Sequence, residues 1–252
     1  MKSSQQLATV LALFSAQRPV CEAEDICQAL NCSRATGYRH LKALVEEGWL
    51  SKVAAGSYAL GLRIAQLHGV LLHSHPLVQA AQPALQELAA HSPWPVALST
   101  PCGSGPLLDV LYTTQAASPV LHHGRQRTQW ANAAGCLWLA YAPEATQRAC
   151  YAAHPAAFAL YEWGRSCTAW LAHLHTVAQH ACSAWYTPDT QQLLGEAVPV
   201  HHPEGHVIAT VSAEAADAAH ALPAEALAAL RVPLQDAAWA LRKALAAESP
   251  AR

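Results

Sequence analysis

Charge of either sign is scarce in this chain. Lysine, arginine, aspartate and glutamate together make up 13% of 252 residues, and the formal net charge is -2. No global basic field therefore points to nucleic acid. Phenylalanine is nearly absent, with two copies, and much of the 52% hydrophobic content is alanine, which favours helix and buries little area per residue. That content still supports a buried core and excludes wholesale disorder. No apolar run reaches about 18 residues without a polar interruption, so no membrane span is expected. No secretory signal is read near Met1, which gives a cytoplasmic expectation. The eight cysteines include no Cys-x-x-Cys pair and read as reduced thiols, many of them small core residues. The common enzyme signatures are missing as well: no G-x-S-x-G, P-loop, G-x-G-x-x-G or H-E-x-x-H is found. Cys102, in the turn Pro101-Cys-Gly-Ser-Gly105, is a lone thiol and weak ground for a nucleophile. The chain is read as a non-enzyme, with no catalytic residue, metal ligand or cofactor assigned.

What charge there is lies unevenly. Residues 1–63 hold seven Lys/Arg against five acids, leaving eight and twelve of the totals of 15 and 17 for the remainder. A mildly basic head on a mildly acidic body fits a DNA-binding first quarter.

The first sixty residues carry the clearest pattern. Leu7, Val10, Leu11 and Phe14 form the stripe of an amphipathic helix that Pro19 is expected to end. A short helix near 22–30 has Glu22, Glu24 and Asp25 in its first turn, where the helix dipole favours acid, and Ile26 and Leu30 on its inner face. Asn31-Cys32-Ser33 reads as a turn, with Ser33 an N-cap. A third helix runs from about Arg34 to Glu47 and buries Tyr38, Leu41 and Val45, leaving Arg34, Arg39 and Lys42 off that stripe; Gly48 stops it. Trp49–Val53 and Ser57–Leu60 read as strands turning at Ala54-Ala55-Gly56. This order is that of a winged helix-turn-helix. Its third helix suits the major groove, which is about 12 Å wide, with Ser33, Arg34 and Thr36 at the leading turn and Arg39 and Lys42 as cations for the backbone. A module for protein contacts is the competing reading. Gly37 costs the helix about 1 kcal/mol relative to alanine, and the wing tip carries no cation.

The segments Ile26-Cys-Gln-Ala-Leu30, Ser33-Arg-Ala-Thr-Gly-Tyr-Arg-His-Leu41, Leu44-Val-Glu-Glu-Gly-Trp-Leu50 and Tyr58-Ala-Leu-Gly61 resemble the IclR family of bacterial transcriptional regulators. The resemblance implies Ser33, Arg34, Thr36, Tyr38 and Arg39 as the DNA-facing set. It continues faintly through a linker helix striped by Leu60, Ile64, Leu67 and Leu71, through Leu77–Leu88, Gly124-Arg125 and Trp130–Ala140, and through Ala197–Val200 and His206–Ser212. The implied organisation is a winged helix-turn-helix over 1–61, a linker helix over 62–75 and a GAF-like effector-binding and oligomerisation domain over 76–252. The fold class is α+β, with an antiparallel sheet carrying helices. Cys136 stands where the family usually has lysine, Thr128 where it often has proline, and Thr187-Pro188 where acids are common. Glu196 and Glu214 fall near positions that are usually apolar or small hydroxyls.

The residues of the second half agree with that architecture. Val96–Thr100, Leu107–Thr114, 196–201 and 206–213 read as strands, with turns at 101–106 and Pro203-Glu204-Gly205, and 136–151, 165–182 and about 224–247 read as helices. By position in the resemblance, Trp130, Ala134, Gly135, Gly195 and Ser212 line an effector pocket, and the helix start after Gly135 offers N–H groups to a carboxylate. The implied effector is a small organic molecule such as an aromatic or short-chain acid. Glu196 and Glu214 would repel an anionic ligand unless they point away or pair. The fifteen histidines include the pairs His73/His75, His122/His123, His173/His175 and His201/His202. On a helix the spacing of i, i+2 points side chains apart, and on a strand adjacent residues face opposite sides, so metal response is a lesser alternative. The expected function is an effector-modulated regulator that binds a double-stranded DNA operator as a homodimer or tetramer. The other alternative is a regulator or protein-interaction adaptor with a degenerate pocket.

Overall fold

The computed structural model describes residues 3–15, 17–103, 107–113, 124–127, 130–215 and 218–248. Thr114, Thr128, His122, His123 and part of the 101–106 turn lie outside these residues. The chain divides into two compact units, Met1–Ser74 and His75–Arg252.

The first unit opens with α1 (Ser3–Leu11), β1 (Val20–Glu22), α2 (Ala23–Ala29) and α3 (Arg34–Glu46), followed by β2 (Leu50–Ala54), β3 (Ser57–Leu60) and α4 (Leu62–Ser74). The first helix stops at Leu11, well before Pro19; Leu13 and Phe14 pack on the core from beyond its end. The strand β1, unforeseen in the sequence, pairs antiparallel with β3 and completes a three-stranded sheet in the order β1-β3-β2. Val10, Ile26, Leu30, Leu41, Leu50 and Tyr58 form one buried cluster, which docks α1, α2 and α3 on the wing. Tyr38, expected on that inner stripe, is instead 50% exposed.

Two glycines set close approaches here. A Cβ on Gly37 would lie 2.1 Å from Cys27 Sγ, so the residue that weakens α3 as a helix is the one that lets α2 cross it. A Cβ on Gly61 would lie 2.0 Å from the carbonyl oxygen of Gly48. At the same joint Gly61 N–H donates to Trp49 O at 2.8 Å and Arg63 N–H donates to Gly48 O at 3.1 Å. The root of the wing and the first turn of α4 are thus bonded directly to the turn that follows α3.

The second unit contains α5 (Pro76–His91), β4 (Val96–Pro101), β5 (Leu107–Thr113), β6 (Arg125–Arg127), α6 (Ala133–Ala140), α7 (Glu144–Ala153), α8 (Pro155–Phe158), α9 (Cys167–His180), β7 (Ser183–Tyr186), β8 (Leu193–His201), β9 (Val207–Glu214) and α10 (Leu227–Glu248). Its six strands pair antiparallel in the order β6-β5-β4-β9-β8-β7. The helix expected over 136–151 is two helices, because Pro143 breaks the chain and caps α7. Alternation along β8 and β9 divides the sheet into two faces. Val198, Val200, Val211 and Ala213 are buried on the side where α5 and α10 pack. Ala197, Ser212 and Glu214 face α6, which lies over an aromatic cluster of Phe158, Trp170, Trp185 and partly buried Trp163. The chain is α+β, a winged helix-turn-helix followed by an antiparallel sheet with helices on both faces. No helix among the described residues is long and apolar enough to cross a membrane.

Candidate nucleic-acid interface and effector site

Ser33 starts α3 as its N-cap: its backbone is extended and its hydroxyl accepts the Thr36 N–H at 3.3 Å. The same hydroxyl donates to Thr36 Oγ1 at 3.1 Å. Two of the expected DNA-facing groups are therefore first of all structural, holding the leading turn closed. Arg34 forks onto Glu24 of α2, with both contacts at 2.7 Å, and lies exposed beside it. Glu24, by hydrogen bonding first and then by charge, raises the Arg34 pKa. Lys42 reaches Glu46 at 3.7 Å along the helix. Arg39 is exposed and has no ion-pair partner among the described residues. The outward face of α3 thus carries one uncommitted guanidinium, the half-exposed ring of Tyr38, and two cations lightly held by exposed carboxylates.

Of the second set, Ala134, Gly135, Gly195 and Ser212 are brought together on the α6 face of the sheet around a side chain of the protein itself, Glu214, whereas Trp130 packs on His154 and Phe158. Glu214 Oε1 accepts the Ala134 N–H at 3.1 Å, and Glu214 Oε2 is ion-paired to Arg127 Nη1. Gly135 N–H is taken by Asn132 Oδ1 at 2.8 Å. Arg127 Nε donates to Asp109 Oδ1 at 2.7 Å, and Nη2 reaches Ser212 Oγ at 3.5 Å. Ser99 Oγ donates to the same Asp109 oxygen at 2.6 Å. Gly195 pairs in register with Glu214, and a Cβ there would meet Glu214 Cγ at 2.5 Å; its missing side chain makes room for Glu214. The Arg127 side chain is 2% exposed and those of Asp109 and Glu214 are 1% and 9%. Burial alone would lower the Arg127 pKa, and the two carboxylates more than offset this, so it is raised. Asp109 Oδ2, Thr210 Oγ1 and Trp130 Nε1 are buried without a hydrogen bond. Arg127 and Asp109 were not picked out from the sequence; β6 is three residues long and gives no periodic signal.

Glu196, the other acid set against an anionic ligand, points to the opposite face. It is fully buried beneath α10, where its Oε1 accepts from Arg231 Nε at 2.6 Å. Burial raises its pKa and Arg231 partly reverses the effect. Cys136 lies 3.7 Å from His173 Nε2, but the pair is not an activated thiolate. Burial pushes the thiol up to about 12 and the imidazole down to about 4, so both are neutral near pH 7. At the exposed tip of the β8–β9 hairpin, His202, Glu204 and His206 bring one ligand atom each within 4.8 Å of one another, a grouping able to hold a cation. The sequence signal was the His-x-Glu-x-His spacing across a tight turn, which the pairing of adjacent histidines concealed.

The first unit is a winged helix-turn-helix whose third helix turns cations outward, and the second is an antiparallel sheet with a polar network under a helix start. Residues 5–54 match the family model of the IclR helix-turn-helix domain. An IclR transcriptional regulator from Alicyclobacillus acidocaldarius superposes with a TM-score of 0.78 at 18% identity, covering 97% of this chain and 99% of that one. An IclR homolog from Microbacterium hydrocarbonoxydans, solved with 4-hydroxybenzoate, gives 0.75 at 20% identity over 96% of this chain and 98% of its own. An IclR family transcriptional regulator from Brucella abortus gives 0.73 at 17% identity over 97% and 92%. At these identities the likeness is one of fold. No curated protein matches the chain.

Proposed function

We propose that the chain binds an operator in double-stranded DNA through the outward face of α3, as a homodimer or tetramer, and that its second unit tunes this binding by taking a small organic molecule. The observation that carries the first part is the uncommitted Arg39 beside exposed Tyr38, on a helix whose other side is packed into the head's own core. Such a helix fits the major groove, where the leading turn meets base edges and the following cations meet phosphate. The complex with 4-hydroxybenzoate of a relative of the same fold supports a small organic ligand. One helix in one groove spans too few base pairs for a specific site, which supports paired half-sites and hence an oligomer. The exposed leucines of α4 fit the same reading.

The test is binding to a random-sequence 30-bp duplex followed by fluorescence anisotropy from low to moderate salt. Arg39→Ala is expected to weaken binding and make the slope of log K against log salt shallower by about 0.9, the value of one phosphate contact. Equal affinity and slope for the variant, or no binding by the parent chain at low salt, would overturn this assignment.

A further inference from the structure

A helix start with two forward N–H groups and a buried arginine beside it is a natural seat for a carboxylate: the backbone donors, the helix dipole and the guanidinium all favour negative charge there. In this chain the seat is made by α6 and Arg127, and the carboxylate in it belongs to Glu214. Its two oxygens are divided between the Ala134 N–H and Arg127, while Asn132 takes the next N–H of the helix. Gly195 supplies the space that the Glu214 chain occupies. The charges confirm how full the seat is. Arg127 already faces Asp109 and Glu214, so one buried cation answers two carboxylates. A third carboxylate would be desolvated into a group of net charge -1 whose helix-start N–H groups are already taken, and low dielectric magnifies that repulsion.

We propose that Glu214 is a built-in occupant of this carboxylate seat, so that the second unit does not respond to carboxylate effectors and admits only ligands that are neutral or cationic at this end. The inference rests on the second unit being the ligand-binding module proposed above. It makes Glu214 the residue that sets ligand charge.

Replacing Glu214 with alanine removes a fragment the size and charge of acetate, which gives a direct test by chemical rescue. The full-length Glu214→Ala variant is expected to melt at a lower temperature than the parent. Sodium acetate at several times its Kd is expected to raise that melting temperature by about 2–4 °C over sodium chloride at equal ionic strength. Neither the parent nor Glu214→Gln, whose amide fills the space and still accepts from Ala134, should distinguish acetate from chloride. A folded Glu214→Ala that responds equally to the two salts overturns the proposal. Calorimetric titration of the parent chain with 4-hydroxybenzoate is the arm that needs no variant: no saturable binding is expected, and saturable binding overturns the proposal even if Glu214→Ala fails to fold. DNA binding by the same parent sample is measured separately. Its loss would overturn the regulatory reading while leaving the acetate result to decide the occupancy of the seat.

Discussion

His173 packs its ring on Trp163, with centroids 4.7 Å apart and planes within 10°, and burial holds its pKa down at about 4. An unfolded chain would take up that proton near pH 6.5. Between those values the unfolded state binds the proton and the folded state does not, so stability is complete above pH 6.5 and falls as pH drops toward 4. The slope from this one group is at most about 1.4 kcal/mol per pH unit. His173→Phe keeps the stacking and removes the titration. Its urea midpoint is expected to fall less than the parent's between pH 7 and pH 5, and parallel declines would show that His173 contributes nothing. Part of this was legible beforehand: the i, i+2 spacing separates His173 from His175, and His175 is indeed exposed and bonded to Gln179. Its burial was not legible, because Trp163 and Cys136 come from other elements. Glu214 is a similar case. Its acidity in a polar site was readable, but its partners Arg127 and Ala134 stand 87 and 80 residues away in the chain.

Among the elements, α3 was read almost to its ends, since its cap, inner leucine and stopping glycine all fall within sixteen consecutive residues, 33–48. The strands β1, β6 and β7 were missed because three or four residues give no alternation to detect. Gly37 shows a cost misjudged from sequence alone. Helix propensity favours alanine there by about 1 kcal/mol, yet the crossing of α2 leaves no room for a methyl group. Gly37→Ala is expected to lower stability by about 1–2 kcal/mol in urea melts, with the overpacking outweighing the propensity gain. Adding Cys27→Ala should recover part of the loss, since the clash is with its sulfur. A Gly37→Ala variant more stable than the parent would show that Cys27 simply rotates aside.

At the scale of the whole molecule, the order of the parts was legible and the pairing of the sheet was not. The hairpin of β8 and β9 is local, whereas β4 joins β9 across more than a hundred residues and decides which side chains share a face. The linker helix leaves apolar surface to be covered: α4 has no buried residue, and Leu67, Val70 and Leu71 lie 43%, 55% and 40% exposed on one side. The full chain is expected to run as a dimer or larger in light scattering after size exclusion. Leu67→Asp with Leu71→Asp should shift it toward monomer, and an unchanged mass would place the association elsewhere.

The bonded joint at Gly48 and Gly61 has a mechanical consequence. The first turn of α4 holds the carbonyl of Gly48, just past the C-cap of α3, and the wing root leaves no gap between them for a hinge. The head is therefore a lever without slack at its fulcrum. In the proposed dimer, a rotation imposed on α4 would swing α3 through the same angle, so the spacing between two copies of α3 would be set at α4 rather than at the wing.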